Sequence, residues 1–242
     1  FVLEGAYASG LPDGALMRSD IEDVLPLAQP FSGAPWLHSG REAIPPEDTS
    51  PANGRPDLLD AHAVVDWVLI CIRSLPADAD AACGAVLLLA DGSLLDPETG
   101  EGMARIGPAL SGSYHVVVYH RTHLAGMTAT AMPLADADAS NVRSPGGLTT
   151  EWFGGGAKPL AAGVVGLYAG DGDGDGSILA PDQQTVWLPS VGQAGYLGGD
   201  FNLDGSVLAN DQQVLWLPNV GVESAVPGAS SLTESTPEAR QK

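Results

Sequence analysis

Apolar residues in the first 150 positions fall in short runs, broken every ten to twenty residues by Gly, Pro, Asp and Ser, with almost no stretch at helical spacing. This punctuation predicts an all-β unit. The predicted strands are residues 1–7 (FVLEGAY), 64–74 (VVDWVLICIRS), 84–95 (GAVLLLADGSLL, a hairpin about Asp91 and Gly92), 114–122 (YHVVVYHRT) and 129–134 (ATAMPL). Between Pro26 and Pro56 lie seven prolines, too many for a central strand. Residues 26–60 therefore read as a long surface excursion over one end of a β-sandwich, anchored by Trp36. Residues 143–159 (RSPGGLTTEWFGGGAKP) read as a Gly-rich connection in which Trp152 and Phe153 must dock, and residues 161–170 (AAGVVGLYAG) as one more strand.

That last strand runs straight into GDGDGDGSILAPD, and 29 residues later the pattern returns as GDFNLDGSVLAND. Residues 170–192 align with residues 199–221 without a gap, a duplication that chance does not produce. Because a strand rather than a flexible linker delivers the chain to the first copy, the duplicate is expected to pack on the β unit. Each copy has the spacing D-x-[DN]-x-D-G-x-[IV]-x-x-x-D, which sets oxygen-bearing side chains at loop positions 1, 3, 5 and 12. Position 7 offers a main-chain carbonyl, and Gly at position 6 permits a sharp turn. The expected ligands are Asp171, Asp173, Asp175, the Ser177 carbonyl and Asp182 in the first loop. In the second they are Asp200, Asn202, Asp204, the Ser206 carbonyl and Asp211. Hard oxygen donors in a six- or seven-fold array suit Ca²⁺, whose shell is flexible, better than Mg²⁺, which demands a tight octahedron. Two Ca²⁺ sites are expected.

Around the ligands, Leu179 and Leu208 stand at position 9, where water can complete the shell, and Ile178 and Val207 at position 8 are expected to pair the loops back to back. QQTVWLP and QQVLWLP read as short helices closed by Pro189 and Pro218. Residues 186–188 and 215–217 are expected to form a small core shared between the copies, with Trp187 and Trp216 as packing residues.

Charge agrees with a cation-binding reading. Ten Lys+Arg against 30 Asp+Glu give a formal net charge of −20, which repels nucleic acid and anionic membranes. Seven of the carboxylates lie in the two loops, within 41 residues; turn charges such as those of PADAD read as solvated surface. With 242 residues and 44% hydrophobic content, the chain can bury one sizeable core or a larger and a smaller unit. The longest apolar run, AVVDWVLICI, is interrupted by Asp66 and falls short of the roughly 18 residues that span a bilayer, so no membrane insertion is expected. No charged n-region or h-region precedes FVLEGAY, so a removed signal peptide or a piece of a longer polypeptide is expected.

Cys71 and Cys83 flank a turn-rich segment between two apolar runs. A hairpin there would bring them together, so a disulfide is allowed, with two buried free thiols as the alternative. A bridge would argue for an oxidising compartment. His115, His120 and His123 cluster in YHVVVYHRTH, and His62 follows Asp60. On a strand His115 and His120 would face opposite sides, so these read as structural or surface histidines rather than a transition-metal site. No G-x-S-x-G elbow, H-E-x-x-H, Walker loop or C-x-x-C is present, and Glu4, Glu42 and Glu47 do not form a matched acid/base pair by spacing. The chain does not read as an enzyme.

The doubled GDxxxDGxxxxxD with its short helix resembles the dockerin-like two-loop calcium module of secreted bacterial proteins, over about residues 168–221. The resemblance implies a pseudo-twofold loop pair that folds on calcium. Loop positions 10 and 11 are Ala180-Pro181 and Ala209-Asn210 rather than a hydroxyl pair, so the resemblance extends to metal binding and cohesin binding is not carried over. FVLEGAY, VVDWVLICIR, AVLLLADGSLLD and YHVVVYHRTHLAGM are also similar to the C-terminal β region of very large extracellular, adhesin-like bacterial surface proteins. This implies location and architecture more than activity.

The expected fold is therefore mainly β: a β-sandwich with a small dockerin-like duplicate of Ca-loop and short helix packed against it. The expected units are a β-sandwich over 1–155, a connecting segment and strand over 156–167, the double loop over 168–221, and a polar tail over 222–242 with the composition of a disordered segment. The expected function is a non-catalytic, secreted, calcium-binding structural or adhesion protein at a bacterial surface, acting by protein–protein contacts. A sharper form has it assembling into an extracellular fibre through residues 1–7 or the tail. Carbohydrate binding through Trp36 or Trp152 is the second function class.

Overall fold

The structure is a computed structural model and describes residues 1–45, 57–102, 105–106, 112–134 and 147–229. These residues are mainly β and form two sheets. The larger is antiparallel, in the order β4 (Leu94–Leu95), β3 (Ala82–Leu89), β2 (Val64–Arg73), β5 (Gly112–Tyr119), β6 (Gly126–Met127), with β7 (Met132–Leu134) paired to the start of β5. The smaller runs β1 (Val2–Leu3), β9 (Val164–Leu167), β8 (Lys158–Ala161), with β1 parallel and β8 antiparallel to β9. β2 is buried along its whole length, which explains why its sequence is a continuous apolar run rather than an alternating one. Its one acidic residue, Asp66, is buried too.

The two sheets meet at Gly126, where a side chain would collide with Trp152 Cζ3 at 2.6 Å and Leu167 Cδ2 at 2.5 Å. Trp152 is fully buried and meets Phe1 edge-on at 6.4 Å between ring centroids. The Gly-rich segment that reads as a mere connection thus supplies a core residue, and its end becomes β8.

Strand lengths differ from the sequence expectation where tertiary contacts intervene. Residues 1–7 contribute only Val2 and Leu3 to a sheet, because the chain turns at Gly5 to pass against the second acidic loop. A Cβ at Gly5 would lie 1.9 Å from the Phe201 carbonyl oxygen. The predicted hairpin about Asp91 and Gly92 forms, with Gly92 at φ +86° and only two residues in its return strand. β5 ends at Tyr119, so His120 and Thr122 lie beyond the strand.

The Pro-rich excursion packs on the larger sheet through Phe31 and Ile44, both fully buried, while the Pro26 carbonyl accepts the Trp67 indole N–H at 2.8 Å. Trp36 is not its main anchor: it is half-buried and rests edge-on against Phe31 at 5.2 Å. Residues 46–56 of that stretch lie outside the described residues.

The main core takes in Leu203 of the second acidic loop as well as Val226 and Ala229 after the duplicate. Residues 222–229 return to the β unit, where Arg73 Nη1 donates to the Pro227 carbonyl at 2.7 Å and Ser224 Oγ to the Ala125 carbonyl at 2.8 Å. The rest of the tail lies outside the described residues. Cys71 and Cys83 sit directly opposite each other on β2 and β3 and are joined by a disulfide, so neither thiol is free. No helix among the described residues is long and apolar enough to cross a membrane.

Candidate metal centre

The two acidic loops share one internal hydrogen-bond plan. Asp182, at position 12, accepts the backbone N–H of Gly172 at 2.8 Å and of Leu179 at 2.7 Å. Its counterpart Asp211 accepts those of Asn202 at 3.0 Å and Leu208 at 2.8 Å. Asp171 accepts from the Gly176 N–H at 3.2 Å and Asp200 from the Gly205 N–H at 2.9 Å. Asp175 and Asp204 each accept from the serine two residues on, at 2.8 and 2.9 Å. The position-6 glycines, Gly176 and Gly205, hold φ +86° and +83°, the left-handed turn that bends the loop round its carboxylates. Position 4 is left-handed as well, at Gly174 (φ +72°) and Leu203 (φ +56°); burial of the Leu203 side chain in the main core offsets the strain.

In the first loop, Asp171, Asp173 and Asp175 bring carboxylate oxygens within 4.8 Å of one another. Asp171 Oδ1 is buried and has no hydrogen-bond partner. Burial, reinforced by Asp182, Asp173 and Asp175, raises the Asp171 carboxyl well above the ordinary carboxylate value. Burial likewise pushes Asp182 and Asp200 up to about 6 and raises Asp173 and Asp211. The Arg121 guanidinium acts against the rise at Asp200, and Asn202 stands where the first loop has Asp173, so the second loop carries less mutual repulsion. Convergent oxygens, one of them buried without a donor, fit a hard cation.

The position-8 residues do not pair with each other. The Ile178 N–H donates to the Val222 carbonyl at 2.9 Å, and the Val207 N–H to the Gln193 carbonyl at 2.9 Å. Each loop is thus stitched to the segment that follows the other copy's helix, and the copies exchange edges. The tryptophans repeat the exchange: Trp187 Nε1 donates to the Leu208 carbonyl at 3.1 Å and Trp216 Nε1 to the Leu179 carbonyl at 3.2 Å. The helices open on an α-helical pair, residues 180–181 and 209–210, widen into π-helical turns, Asp182–Trp187 and Asp211–Trp216, and finish as single α turns, Leu188–Ser190 and Leu217–Asn219. Pro189 and Pro218 lie inside those last turns rather than ending the helices, because the wider π turn leaves room for the proline ring. The small core joins Leu215 and Trp216 to Ile178, Phe201, Leu124 and Ala169. Leu188 and Leu217 point outward instead.

Two buried polar clusters fix this unit on the β unit. In the first, Asp66 accepts from the Trp67 N–H at 2.7 Å, Tyr196 Oη at 2.6 Å, Arg121 Nε at 2.9 Å and His120 Nε2 at 3.1 Å. Burial alone would raise the Asp66 carboxyl, but Arg121, His120 and Tyr196 outweigh it and hold it at about 2. Arg121 also donates to the Leu197 carbonyl at 2.5 Å and lies 4.0 Å over the Tyr196 ring. The Gly5 N–H donates to His123 Nε2 at 3.0 Å, which places the His123 proton on Nδ1, 3.0 Å from His120 Nδ1. Burial keeps both imidazoles below their ordinary value, and both are neutral. In the second cluster, buried Asn219 donates to Glu4 Oε2 at 2.7 Å and to the Ala169 carbonyl at 2.8 Å, while Lys158 Nζ bonds Glu4 Oε1 and Asn219.

His120 and His123 are thus buried structural residues on one side, whereas His115 lies apart with its Nδ1 at the Thr128 carbonyl, 2.9 Å. Glu4 is an ion-pair partner of Lys158, and Glu47 lies outside the described residues. Trp152, buried in the core, presents no face to a sugar. Sequence reading did not find the Asp66, Arg121 and Tyr196 cluster; the signal available was an Asp in the middle of a wholly apolar strand, which must find partners.

No protein-family model matches the chain, and no curated protein matches it. Among solved structures, a chain from an N-terminal interface mutant of a type II cohesin–X-dockerin complex of Acetivibrio cellulolyticus is similar at 16% identity and a TM-score of 0.34, over 65% of this chain and 83% of that one.

Proposed function

We propose that the doubled loop is a two-site calcium clamp, and that the chain is a non-catalytic extracellular protein of a bacterial surface acting through protein contacts. The observation that carries the reading is Asp171 Oδ1, buried without a donor among the carboxylates of Asp173 and Asp175. Asp171, Asp173, Asp175, Asp182 and the Ser177 carbonyl would hold the first ion. Asp200, Asn202, Asp204, Asp211 and the Ser206 carbonyl would hold the second. Bound calcium supplies charge neutralisation, which lets seven carboxylates stay ionised at close quarters. The residues themselves set the loop shape through the paired backbone bonds to Asp182 and Asp211.

The partner is a protein. Three pairs of residues related by the duplication, Leu179 and Leu208, Leu188 and Leu217, Val191 and Val220, are exposed large hydrophobics, and Val214 joins them. Apolar residues repeated on both copies suit a protein contact rather than solvent. The disulfide between Cys71 and Cys83 favours an oxidising compartment. The dockerin-like resemblance of residues 168–221 and the adhesin-like resemblance of the β strings point the same way. Scanning calorimetry in calcium and in EDTA tests the clamp: the melting temperature is expected to fall by several degrees on chelation, and an unchanged value would sink the reading.

A further inference from the structure

A cavity of about 300 Å³ lies at the larger sheet, lined by residues 36–39 and by residues of β2, β3 and β5, the disulfide among them. Its volume is at the lower end of the ~300–1,000 Å³ of small-molecule sites. Trp36 and Tyr119 line it, and its polar groups come from His38, Ser39 and Asp80.

The imidazole and the carboxylate in its lining are already paired. Asp80 accepts from Arg73 Nε at 2.6 Å and from Tyr119 Oη at 3.0 Å, and His38 Nε2 faces both Glu42 carboxylate oxygens at 3.1 Å. The cavity therefore has no unpaired charge among these groups to recruit an anion or a cation. What it offers is aromatic surface next to a carboxylate with remaining acceptor capacity and a serine hydroxyl. That combination suits a neutral ring with an apolar C–H face and hydroxyls on its rim.

The first acidic loop touches the Trp36 segment. A Cβ at Gly174, loop position 4, would lie 2.8 Å from Pro35 Cγ and 3.1 Å from Trp36 Cζ2, so the loop backbone and the Trp36 segment are in direct contact. Next in the chain, Leu37 holds a left-handed φ of +50° with its side chain 62% exposed, pinned by Leu37 N–H to Gly33 carbonyl and His38 N–H to Phe31 carbonyl bonds of 2.9 Å. Such a conformation persists only where its surroundings enforce it.

We propose that this cavity binds one uncharged sugar ring, stacked on Trp36 and hydrogen-bonded to Asp80 and Ser39, and that the first loop must be calcium-filled to hold Trp36 in place. The second half rests on the calcium clamp described above. The test is titration of the full chain with glucose, galactose, mannose and N-acetylglucosamine, followed by tryptophan fluorescence and calorimetry, in calcium and in EDTA, with acetate and methylammonium as charged controls. At least one sugar is expected to bind with a Kd of about 1 mM, weakened about tenfold by Trp36→Ala and about threefold by Ser39→Ala, and weakened in EDTA, while the charged controls do not bind. Ser39→Ala keeps the test usable if Trp36→Ala disturbs the Phe31 contact. Absence of saturable sugar binding in the calcium-loaded protein, or binding undiminished in both variants, overturns the proposal. Equal sugar affinity with and without calcium overturns the coupling. Calcium binding is read in a separate titration, so failure of the cavity and failure of the clamp are told apart.

Discussion

Replacing Asp171 by Asn is expected to change stability with opposite signs in calcium and in its absence. Without a cation, Asp171 Oδ1 is buried with no donor and its carboxyl is driven up by burial and by Asp182, Asp173 and Asp175. A buried unsatisfied polar group costs about 1–3 kcal/mol, and more when charged. Asp171→Asn keeps the shape and removes one of the loop's four charges, so in EDTA the variant should gain about 1–2 kcal/mol. For a chain of this length that raises the melting temperature by about 2–8 °C. In calcium at about 100 times its dissociation constant, a filled site stabilises the fold by about 2.7 kcal/mol. Losing the position-1 carboxylate forfeits that, and set against the gain of about 1–2 kcal/mol from charge removal the net loss is about 1 kcal/mol, so the melting temperature should fall by about 2–4 °C. Scanning calorimetry of wild type and variant in both buffers reads the two signs. A shift of the same sign in both would refute the reasoning, because an acidic turn with no metal role responds to charge removal alike in either buffer.

Three further outcomes concern the junction between the units. Gly5→Ala places a methyl 1.9 Å from the Phe201 carbonyl oxygen, so it must push the N-terminal segment off the second loop; a loss of at least about 2 kcal/mol in urea unfolding is expected, and an unchanged midpoint would contradict the packing. His120 and His123 are neutral in the fold with lowered pKa values, whereas in the unfolded chain they charge below about pH 6.5, so their contribution to stability is lost as pH falls from that value. The stability advantage of wild type over His123→Gln should therefore narrow between about pH 7.5 and 5.5 in saturating calcium, and a gap that stays constant would contradict a buried neutral pair. Asp66 acts lower on the scale: its stabilising contribution is present above about pH 4 and lost toward its folded value of about 2.

The parts of the fold that could be read from sequence are those whose signal is local. β2 and β3 follow from long apolar runs, and the Asp91 and Gly92 turn from its dipeptide. The loop plan follows from a spacing that backbone geometry alone makes meaningful. What could not be read depends on contacts far along the chain. Residues 1–7 look like a strand, but Gly5 must clear Phe201, almost two hundred positions away. Trp152 sits in a Gly-rich segment whose local signal is a turn, and only the gap left by Gly126 makes it a core residue. The exchanged edges at Ile178 and Val207 escaped a reading that paired like with like, although Val191-Gly192 and Val220-Gly221 repeat in the duplicate and lead into the strips that bind the loops. The Asp66 cluster draws on residues 54 and 130 positions apart from it, and no periodicity encodes that.

The clamp itself is tested most directly by isothermal titration of calcium into the chelator-treated full chain. Two ions per chain are expected, the loop with four carboxylates binding more tightly than the loop with three, and Asp171→Asn should abolish one site and leave the other. No calcium uptake would contradict the account, and so would two sites that both survive that substitution.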